Sequence, residues 1–302
     1  MVSYDGLLQK LNSRHLTKTA LAAQLGISSR TIAKIGRGER IADHVLVRIA
    51  AFLDCTPEEL CRSVSDNTLL QTLRDEKDIR MPGGLYHELQ IRMTYNSNHI
   101  EGSSLSEDQT RMIFETNTVD VAGGVPVDDI IETVNHFRAI DYVIDKAEEP
   151  LTEDTVKELH SILKQGTRDA ALGWFAIGDY KKRANVVGGR ETAAPREVPA
   201  RMNALLSAYE ALHSVSIHDI IRFHHDFERI HPFQDGNGRV GRLIALKECL
   251  RHAIVPFIIE DAKKIFYYRG LSEWEREKGY LTDTCLDGQD VFKKMMAMFR
   301  KH

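Results

Sequence analysis

The residues from 231 to 242, HPFQDGNGRVGR, combine side chains that could hold a phosphate group with one that could move a proton. Gly236 and Gly238 let backbone amides come close to a ligand, and the helix expected to begin near Arg239 presents unpaired amides and a favourable dipole. Arg239 and Arg242 are three residues apart, so they share one face of that helix and can both reach a polyphosphate. The spacing therefore predicts an anion-binding site.

Two further side chains give this site a chemistry. Asp235 cannot serve an anion itself, and a carboxylate in that place is best explained by a bound Mg²⁺. His231 carries an imidazole, whose ordinary pKa suits a general base near neutral pH. The alternative is a plain helix–helix turn with capping glycines, a packed histidine and two solvated arginines. The full combination at these spacings favours a catalytic site over that alternative.

Composition limits the class of protein. The chain has 302 residues, 42% hydrophobic and 28% charged, which is typical of a globular protein of two or three domains. Its net charge of −4 excludes a globally polycationic nucleic-acid binder but allows a local basic face. The four cysteines form no CxxC pair, which predicts reduced thiols in a cytoplasmic protein. A signal-peptide pattern and a membrane-length apolar stretch are both missing, so we expect a cytoplasmic location and no membrane partner.

Helical spacing of apolar residues dominates the chain, so helices must position these side chains. We expect helices over 128–146, 199–213, 216–229, 239–252 and 263–280. Glycines and prolines interrupt this pattern between 172 and 199, which predicts a small hairpin or flap there. The predicted fold class is therefore mainly α.

The N-terminal part of the chain has its own pattern, a run of short helices. Between the second and third helix, Gly26 can supply the positive φ of a tight turn, and Ser28 or Ser29 can cap the next helix. The polar stretch from 62 to 78 is expected to be a linker or a linking helix. The predicted organisation is a small domain over 1–65, a linker over 66–84 and a larger helical domain over 85–302.

The stretch 231–242 resembles the motif of the Fic family, HxFxDGNGRxxR, at every defined position, and the resemblance extends over roughly 85–300. Fic domains are all-helical with one β-hairpin, so the resemblance implies a helical Fic domain with one hairpin flap. The segment 178–190 is similar to that flap, although the family often has Tyr-Arg where this chain has Tyr180 and Lys181. Most members transfer AMP from ATP to a hydroxyl side chain of a target protein, and some remove it.

The resemblance implies a role for each part of the motif. His231 would deprotonate the hydroxyl of a target Ser, Thr or Tyr, Asp235 would hold Mg²⁺, and Phe233 would anchor the loop in the core. Within the implied nucleotide site, Tyr267 would contact the base, with core packing of Tyr267 and Tyr268 as the alternative. Nucleotide contacts are implied for Val187, Gly188, Gly189, Arg190, Asp235, Gly236, Asn237, Gly238, Arg239, Val240, Gly241, Arg242 and Tyr267.

A second segment, 97–102, resembles the inhibitory motif (S/T)xxxE(G/N) of the same family through Ser97, Glu101 and Gly102. In members that carry this motif, it forms a helix near the nucleotide, and its glutamate pairs with the second arginine of the Fic motif, here Arg242. A Glu–guanidinium pair is bidentate and competes with the γ-phosphate for the same donors. The alternative is an exposed glutamate at a helix end, followed by a glycine cap.

Residues 16–39 resemble the helix-turn-helix of phage-repressor-type regulators. Residues 1–62 carry nine basic and six acidic side chains, a charge of +3, which leaves −7 for the remainder. Ser29, Arg30 and Lys34, in the expected recognition helix, are the predicted DNA contacts. The alternative is a helical dimerisation or target-docking domain without DNA, because a charge of +3 gives a monomer limited affinity for phosphates.

The combined features predict an autoinhibited protein adenylyltransferase that uses ATP and Mg²⁺ and moves AMP onto a hydroxyl side chain of a target protein. The target is unknown and could be the chain itself, DNA is a second candidate partner, and a homodimer is possible. Two alternatives stay open. One is removal of AMP from the same target, with Glu101 positioning a water, and the other is a DNA-binding regulator whose Fic core senses nucleotide. The intact His231, Asp235 and Asn237 favour an enzyme over the regulator.

Overall fold

The computed structural model describes residues 2–299 apart from 15, 38, 40, 64–66 and 121–122. The chain folds into two compact units, Met1–Thr68 and Leu69–His302. Helices make up most of both units, as the apolar spacing predicts. Among the residues that the structure describes, we find no helix whose length and apolar character would let it span a lipid bilayer.

The N-terminal unit is built from short helices around one small apolar core. Its elements are α1 (Asp5–Ser13), α2 (Lys18–Leu25), α3 (Ser29–Gly36), α4 (Asp43–Phe52), α5 (Pro57–Leu60) and an antiparallel pair of strands, β1 (Val2–Ser3) and β2 (Arg62–Ser63). Leu7, Leu21 and Ile49, from three of these helices, lie in the core. The sequence carries no signal for the strand pair, because each strand is only two residues long.

The junction of α2 and α3 has the geometry that the sequence predicts. The Thr17 hydroxyl caps α2 by accepting the N–H of Ala20, and Gly26 ends the helix in the left-handed conformation (φ 59°). Ser28 caps α3 by accepting the N–H of Thr31. The two helices therefore form a helix-turn-helix with a short, capped turn.

The larger unit is organised around one central helix, α13. In chain order its helices are α6 (Thr68–Asp78), α7 (Leu85–Ile100), α8 (Glu107–Thr116), α9 (Val127–Asp145), α10 (Glu153–Lys164), α11 (Val198–Glu210), α12 (Ile217–Ile230), α13 (Asn237–Arg251), α14 (Lys264–Ser272) and α15 (Gly279–Phe299). α13 is buried along nearly its whole length and packs against α7, α9, α10 and α12. The core therefore holds α13 in place, and the residues that directly precede its first turn belong to the loop after α12.

A short hairpin lies between α10 and α11. β3 (Val186–Val187) and β4 (Arg190–Glu191) pair antiparallel, with Val187 opposite Arg190. The turn residues Gly188 and Gly189 both have positive φ, 55° and 77°. Two-residue hairpin turns of this kind require positive φ at both positions, which explains the two glycines. The predicted mainly helical fold with one hairpin in the larger domain is confirmed.

The structure differs from two expectations about the larger unit. The region 66–84, expected to be a linker with a linking helix as the alternative, does contain a helix, α6, but its Leu69, Leu70 and Leu73 are buried in the core of this unit. The helix expected over 263–280 is broken, because α14 ends at Ser272 and α15 begins only at Gly279. The polar neighbours of these leucines mask the apolar spacing of α6. The segment 273–278 itself has no proline or glycine, and the one glycine at the break, Gly279, begins α15.

Candidate active site

The predicted motif forms a tight connection between α12 and α13. His231 ends α12 in the left-handed conformation (φ 50°), and its N–H donates to the Phe227 carbonyl at 2.9 Å. Phe233 is fully buried, and its ring stacks on that of His160 with the centroids 4.0 Å apart. The loop is therefore anchored in the core and places the imidazole of His231 beside the first turn of α13.

Asn237, the first residue of α13, holds the loop closed. Its Oδ1 accepts the N–H of Phe233 at 2.8 Å, and its Nδ2 donates to the Phe233 carbonyl at 3.0 Å. The same Nδ2 lies 3.0 Å from Nδ1 of His231, and Nδ2 of Asn185 lies equally close to that nitrogen. The imidazole is thus held by two amide groups, one from the motif and one from the segment that leads into the hairpin.

The imidazole of His231 is neutral at physiological pH. Burial, helped by the nearby Lys181 ammonium, lowers the pKa of His231 to about 4 against the opposing effect of Asp235 and Glu101. A neutral imidazole has a lone pair that can accept a proton, which is the state that a general base requires.

The start of α13 is shaped for an anion. Gly236 (φ 79°) leads into the helix, and the first amides of a helix have no intrahelical acceptor. At Gly238 a side chain would meet the carboxylate of Glu101, so a larger residue there would require the end of the Glu101 side chain to move. Val240 and Gly241, also predicted to contact the nucleotide, are buried in the body of α13. Asn237, Arg239 and Arg242 are buried as well, so burial does not separate Val240 and Gly241 from them, and their nucleotide contacts stay a prediction.

A network of charges surrounds the buried Arg239. Its guanidinium pairs with Glu132 from α9 and, at 3.4 Å, with Asp235. The ammonium of Lys164, the last residue of α10, lies 2.6 Å from Glu132, 2.7 Å from Asp235 and 3.3 Å from Asp169. Burial of Asp235 opposes ionisation, but Arg239 and Lys164 outweigh it and lower the pKa of this carboxyl to about 2. Asp235 is therefore ionised and already held by two cations.

Arg242 is held by the end of α7. Its Nη2 lies 2.7 Å from Oε1 of Glu101 and 2.9 Å from the Ser97 carbonyl, and its Nε donates to Ser97 Oγ at 3.0 Å. Burial opposes the charge, but the Glu101 carboxylate outweighs it and raises the pKa of Arg242. Gly102 follows with φ 100°, a conformation that favours glycine. The fold thus joins two charged residues that are 141 positions apart.

A cavity of about 210 Å³ lies next to the motif, between the hairpin and α14. Its walls include Val187, Gly188 and Arg190 from the hairpin, with Glu228 and Tyr268 from the helices. Gly189, predicted together with its hairpin neighbours, is in the turn and is not part of the wall.

The two adjacent tyrosines of α14 differ in exposure. Tyr267 is 1% exposed, and its hydroxyl lies 2.7 Å from Nε2 of His224 and 3.4 Å from Nη1 of Arg242. Tyr268 is 42% exposed, lines the cavity and donates to the Ile100 carbonyl at 3.1 Å. The predicted base contact of Tyr267 is therefore not supported. Successive helical residues point about 100° apart, and it is Tyr268 that faces the cavity.

Five side chains of this region lie outside the predicted site. They are Glu132, Lys164, Lys181, Asn185 and Glu228. A sequence signal exists only for Lys181 and Asn185, which belong to the segment similar to the family's flap. Nothing in the local pattern indicates that Glu132 or Lys164 reaches the motif.

In the N-terminal unit, the predicted DNA contacts lie on α3. Ser29 and Arg30 are exposed, and Lys34 is half-buried one turn further along the helix. A polar helix that follows the turn is the element that helix-turn-helix proteins place in the major groove. The described side chains of α3 are compatible with that use.

Comparisons with known proteins agree with both arrangements. Residues 150–249 match the Fic/DOC family, and residues 7–66 match the Cro/C1-type HTH DNA-binding domain. A protein adenylyltransferase Fic from Aedes aegypti is 28% identical over 246 residues, which cover 80% of this chain and 46% of that protein. A protein adenylyltransferase Fic from Drosophila persimilis is 28% identical over 189 residues, which cover 61% of this chain and 36% of that protein. The chain spans less than half the length of these curated relatives.

Solved structures show the same fold. A Fic domain containing signaling protein from Bacteroides thetaiotaomicron superposes with a TM-score of 0.59 at 23% identity, covering 76% of this chain and 94% of that one. Fic-1 from C. elegans also superposes with a TM-score of 0.59, at 17% identity, and the match covers 96% of this chain and 92% of that one. At these identities the likeness concerns the fold alone.

Proposed function

We propose that this chain, which combines a Fic/DOC domain with a Cro/C1-type helix-turn-helix domain, is an autoinhibited protein adenylyltransferase that moves AMP from ATP onto a hydroxyl side chain of a target protein. One observation carries the proposal: a neutral imidazole, that of His231, stands beside a helix N-terminus flanked by two arginines. Relatives named protein adenylyltransferase Fic support it. The target is an unidentified protein, and the chain itself is a candidate.

The transfer exchanges one phosphorus–oxygen bond for another. The target oxygen bonds to the α-phosphorus of ATP, the bond from that phosphorus to the bridging oxygen breaks, and pyrophosphate leaves. His231 accepts the hydroxyl proton as the new bond forms. The first amides of α13 and the guanidinium of Arg239 stabilise charge on the phosphate oxygens. Catalysis is therefore mainly placement and electrostatics.

Mg²⁺ suits the chemistry of this site. The ion takes oxygen ligands and commonly binds through one or two carboxylates together with substrate phosphates and waters. Asp235 fits this role because its carboxylate is ionised and its side chain is 51% exposed beside the phosphate site. The described residues contain no group of three or more His, Cys, Asp or Glu that could hold a metal, so phosphates and waters would complete the coordination. A bound ion would neutralise phosphate charge.

Glu101 supports the autoinhibited part of the proposal. Its carboxylate, 2.7 Å from Arg242, occupies a guanidinium that a γ-phosphate would otherwise use. Ser97 holds the same guanidinium through its hydroxyl and its carbonyl. ATP would then bind with its triphosphate out of line for transfer, so the wild-type protein is expected to be slow.

The test is label transfer by the full-length chain. Wild-type protein and the Glu101→Gly variant are incubated with magnesium chloride, a cell lysate and ATP labelled at either the α- or the γ-phosphate. Transfer of AMP keeps the α-label and releases the γ-label, so only α-label should become protein-bound, and more of it with the variant. Glu101→Gln, which removes the charge without adding a glycine, is tested as well, and its matched control is Glu158→Gln, which removes a charge from an exposed position of α10.

The outcomes separate the alternatives. Protein-bound γ-label would indicate phosphate transfer and contradict the proposal. Absence of α-label from Glu101→Gly, on any protein, would contradict transfer of AMP. If the wild type strips AMP from a modified target and Glu101→Gly does not, removal of AMP is the activity and Glu101 acts on the water.

Binding of duplex DNA is a second function, favoured by the exposed Ser29 and Arg30 on α3 and by the domain match. Titration of a labelled duplex with the full-length protein at low and at moderate salt tests this binding. Affinity should fall with salt, because contacts to phosphates release counterions. Absence of binding at low salt would favour the docking-domain alternative, and binding without any transfer of AMP would favour the regulator.

A further inference from the structure

The amide groups around His231 determine which of its ring nitrogens carries the proton. Asn237 has one possible orientation, because its Oδ1 accepts the Phe233 N–H at 2.8 Å and its Nδ2 donates to the Phe233 carbonyl at 3.0 Å. A flipped amide would lose both bonds. The group that faces Nδ1 of His231 at 3.0 Å is therefore an N–H donor.

Asn185 has one possible orientation as well. Its Oδ1 lies 2.7 Å from the ammonium of Lys181, which can only donate. Its Nδ2 lies 3.1 Å from the carbonyl oxygen of Phe233, which can only accept. A flipped amide would set NH₂ against the ammonium and oxygen against the carbonyl. Nδ2 of Asn185 is therefore a second donor toward Nδ1 of His231, at 3.0 Å.

Two donors thus meet at one ring nitrogen, and Nδ1 can only be an acceptor. The proton of the neutral imidazole must then lie on Nε2. A proton on Nδ1 would set an N–H against two amide groups and forfeit both hydrogen bonds. The lowered pKa of His231, about 4, is consistent with this arrangement.

Lys181 orients the Asn185 amide, because its ammonium donates to Oδ1. Its side chain is buried. Among the described residues, its ammonium contacts only neutral acceptors, which are Oδ1 of Asn185 and, at 2.5 Å, Oγ1 of Thr192. Burial lowers the pKa of Lys181 to about 8. A buried cation without a counter-charge destabilises a fold, and a methionine would fill this space without that cost. A functional reason for the lysine is therefore expected.

We propose that Asn185, oriented by Lys181, is a positioning residue for His231: it fixes the ring proton on Nε2 and reserves the lone pair of Nδ1 for the proton of the target hydroxyl. This inference rests on the proposed function. Asn237 and Asn185 both donate to the Phe233 carbonyl, so both amides are held in place, and the target hydroxyl would replace one of these two donors at Nδ1. The proton then passes from the hydroxyl oxygen to Nδ1 and leaves an imidazolium with both nitrogens protonated.

NMR of the full-length protein with isotope-labelled histidine tests the assignment without any transfer reaction. The wild type should show His231 protonated on Nε2 and neutral down to about pH 4. Asn185→Leu removes a donor that favours the neutral ring, so the pKa of His231 should rise. Lys181→Met should raise the pKa of His231 further, because it also removes a nearby positive charge while the negative charges of Asp235 and Glu101 still act on the ring.

A matched control and a rescue make the NMR test specific. Lys182→Met removes the same charge from the next residue, which is exposed, and should leave His231 unchanged. Lys181→Arg keeps a donor for Asn185 and should restore the wild-type spectrum. A wild-type proton on Nδ1 would overturn the proposal, and so would Asn185→Leu and Lys181→Met spectra that equal the Lys182→Met control. If Asn185→Leu does not fold, the test rests on the two Lys181 variants: the His231 spectrum should change in Lys181→Met and equal that of the wild type in Lys181→Arg.

Kinetics in the Glu101→Gly background separate positioning from nucleotide binding. Asn185→Leu and Lys181→Met should lower kcat by about tenfold to a hundredfold and leave the KM for ATP nearly unchanged, because a misplaced base slows chemistry only. A rise in KM with kcat unchanged would assign these residues to nucleotide binding and overturn the proposal. Transfer absent from every form, with the expected NMR changes present, would refute the proposed function and still support the proton assignment.

Discussion

The two units place the side chains that we propose to be functional in opposite environments. In the larger unit, Arg239 and Arg242 are buried, and each is fixed by partners from distant parts of the chain. In the N-terminal unit, Ser29 and Arg30 lie exposed on one short helix. Buried charges interact strongly and cooperatively, whereas exposed charges are screened by water and salt. Substitutions should therefore have large, non-additive effects in the first unit and small, additive ones in the second.

The largest effect is expected at the base. His231→Ala in the Glu101→Gly background should lower AMP transfer by about 10²–10⁴-fold, because general-base catalysis is lost. ATP binding, measured by calorimetry, should stay largely intact, since the α13 amides and Arg239 hold the nucleotide. The control is His218→Ala, at an exposed position of the same helix. Near-normal labelling by His231→Ala would refute its role as the base.

Acid should destabilise the larger unit. Burial lowers the pKa of His136, His160 and His224 to about 3 and that of His231 to about 4. An unfolded histidine titrates near 6.5, so between pH 6.5 and about 4 the unfolded state binds more protons and the free energy of unfolding falls as pH falls. Each such proton contributes about 1.4 kcal/mol per pH unit. Glu228 acts in the opposite direction. Burial raises its pKa to about 8, so its carboxyl holds a proton in the folded state at a pH where the unfolded state has lost it, and this one proton favours the folded state as pH falls.

Urea unfolding at several pH values measures this loss of stability. Both tryptophans, at positions 174 and 274, belong to the larger unit, so their fluorescence reports on that unit alone. His136→Asn should make stability less dependent on pH, and the exposed His218→Ala should not change the dependence. Stability that is constant between pH 6.5 and 5 would contradict the neutral state of the buried histidines.

Substitutions in the ion pair between Glu101 and Arg242 test whether changes at buried charged residues have non-additive effects on kcat. Glu101→Gly should raise kcat by about tenfold to a thousandfold, since a charge-assisted pair obstructs the triphosphate. Arg242→Ala should give no such gain, because it removes the phosphate contact together with the obstruction. The double variant should behave like Arg242→Ala alone, a pattern typical of residues that share one contact. A double variant as active as Glu101→Gly would contradict the proposed role of Arg242.

The smallest effects are expected on α3. Arg30→Ala and Lys34→Ala should each weaken binding of duplex DNA only a few-fold, add when combined, and reduce the salt dependence by about one counterion per residue. Lys10→Ala is the control within the same unit, because Lys10 pairs with Glu59 at 2.8 Å. Fluorescence anisotropy at several salt concentrations measures these changes. If one of these substitutions weakened DNA binding by several orders of magnitude, the expectation of small effects in the N-terminal unit would be wrong.

Local features of the fold were predictable from the sequence because their causes are local. Gly26 and Ser28 define the turn of the helix-turn-helix by their own conformation and capping. Gly188 and Gly189 define the hairpin in the same way. Weak local signals failed where packing decided the outcome: the leucines of α6 belong to the core of the larger unit although their surroundings are polar.

The candidate active site shows the same division between local and long-range causes. By itself, the sequence determined the motif from His231 to Arg242 and its place between two helices, because these residues act through neighbours in the chain. Only the tertiary structure decided that Lys164 and Glu132 hold Asp235 and Arg239, since charge pairing across a core depends on distance in space and not on spacing in sequence. It also decided that Tyr268 lines the cavity, because the helical phase of α14 against the core settles which of two adjacent rings is exposed.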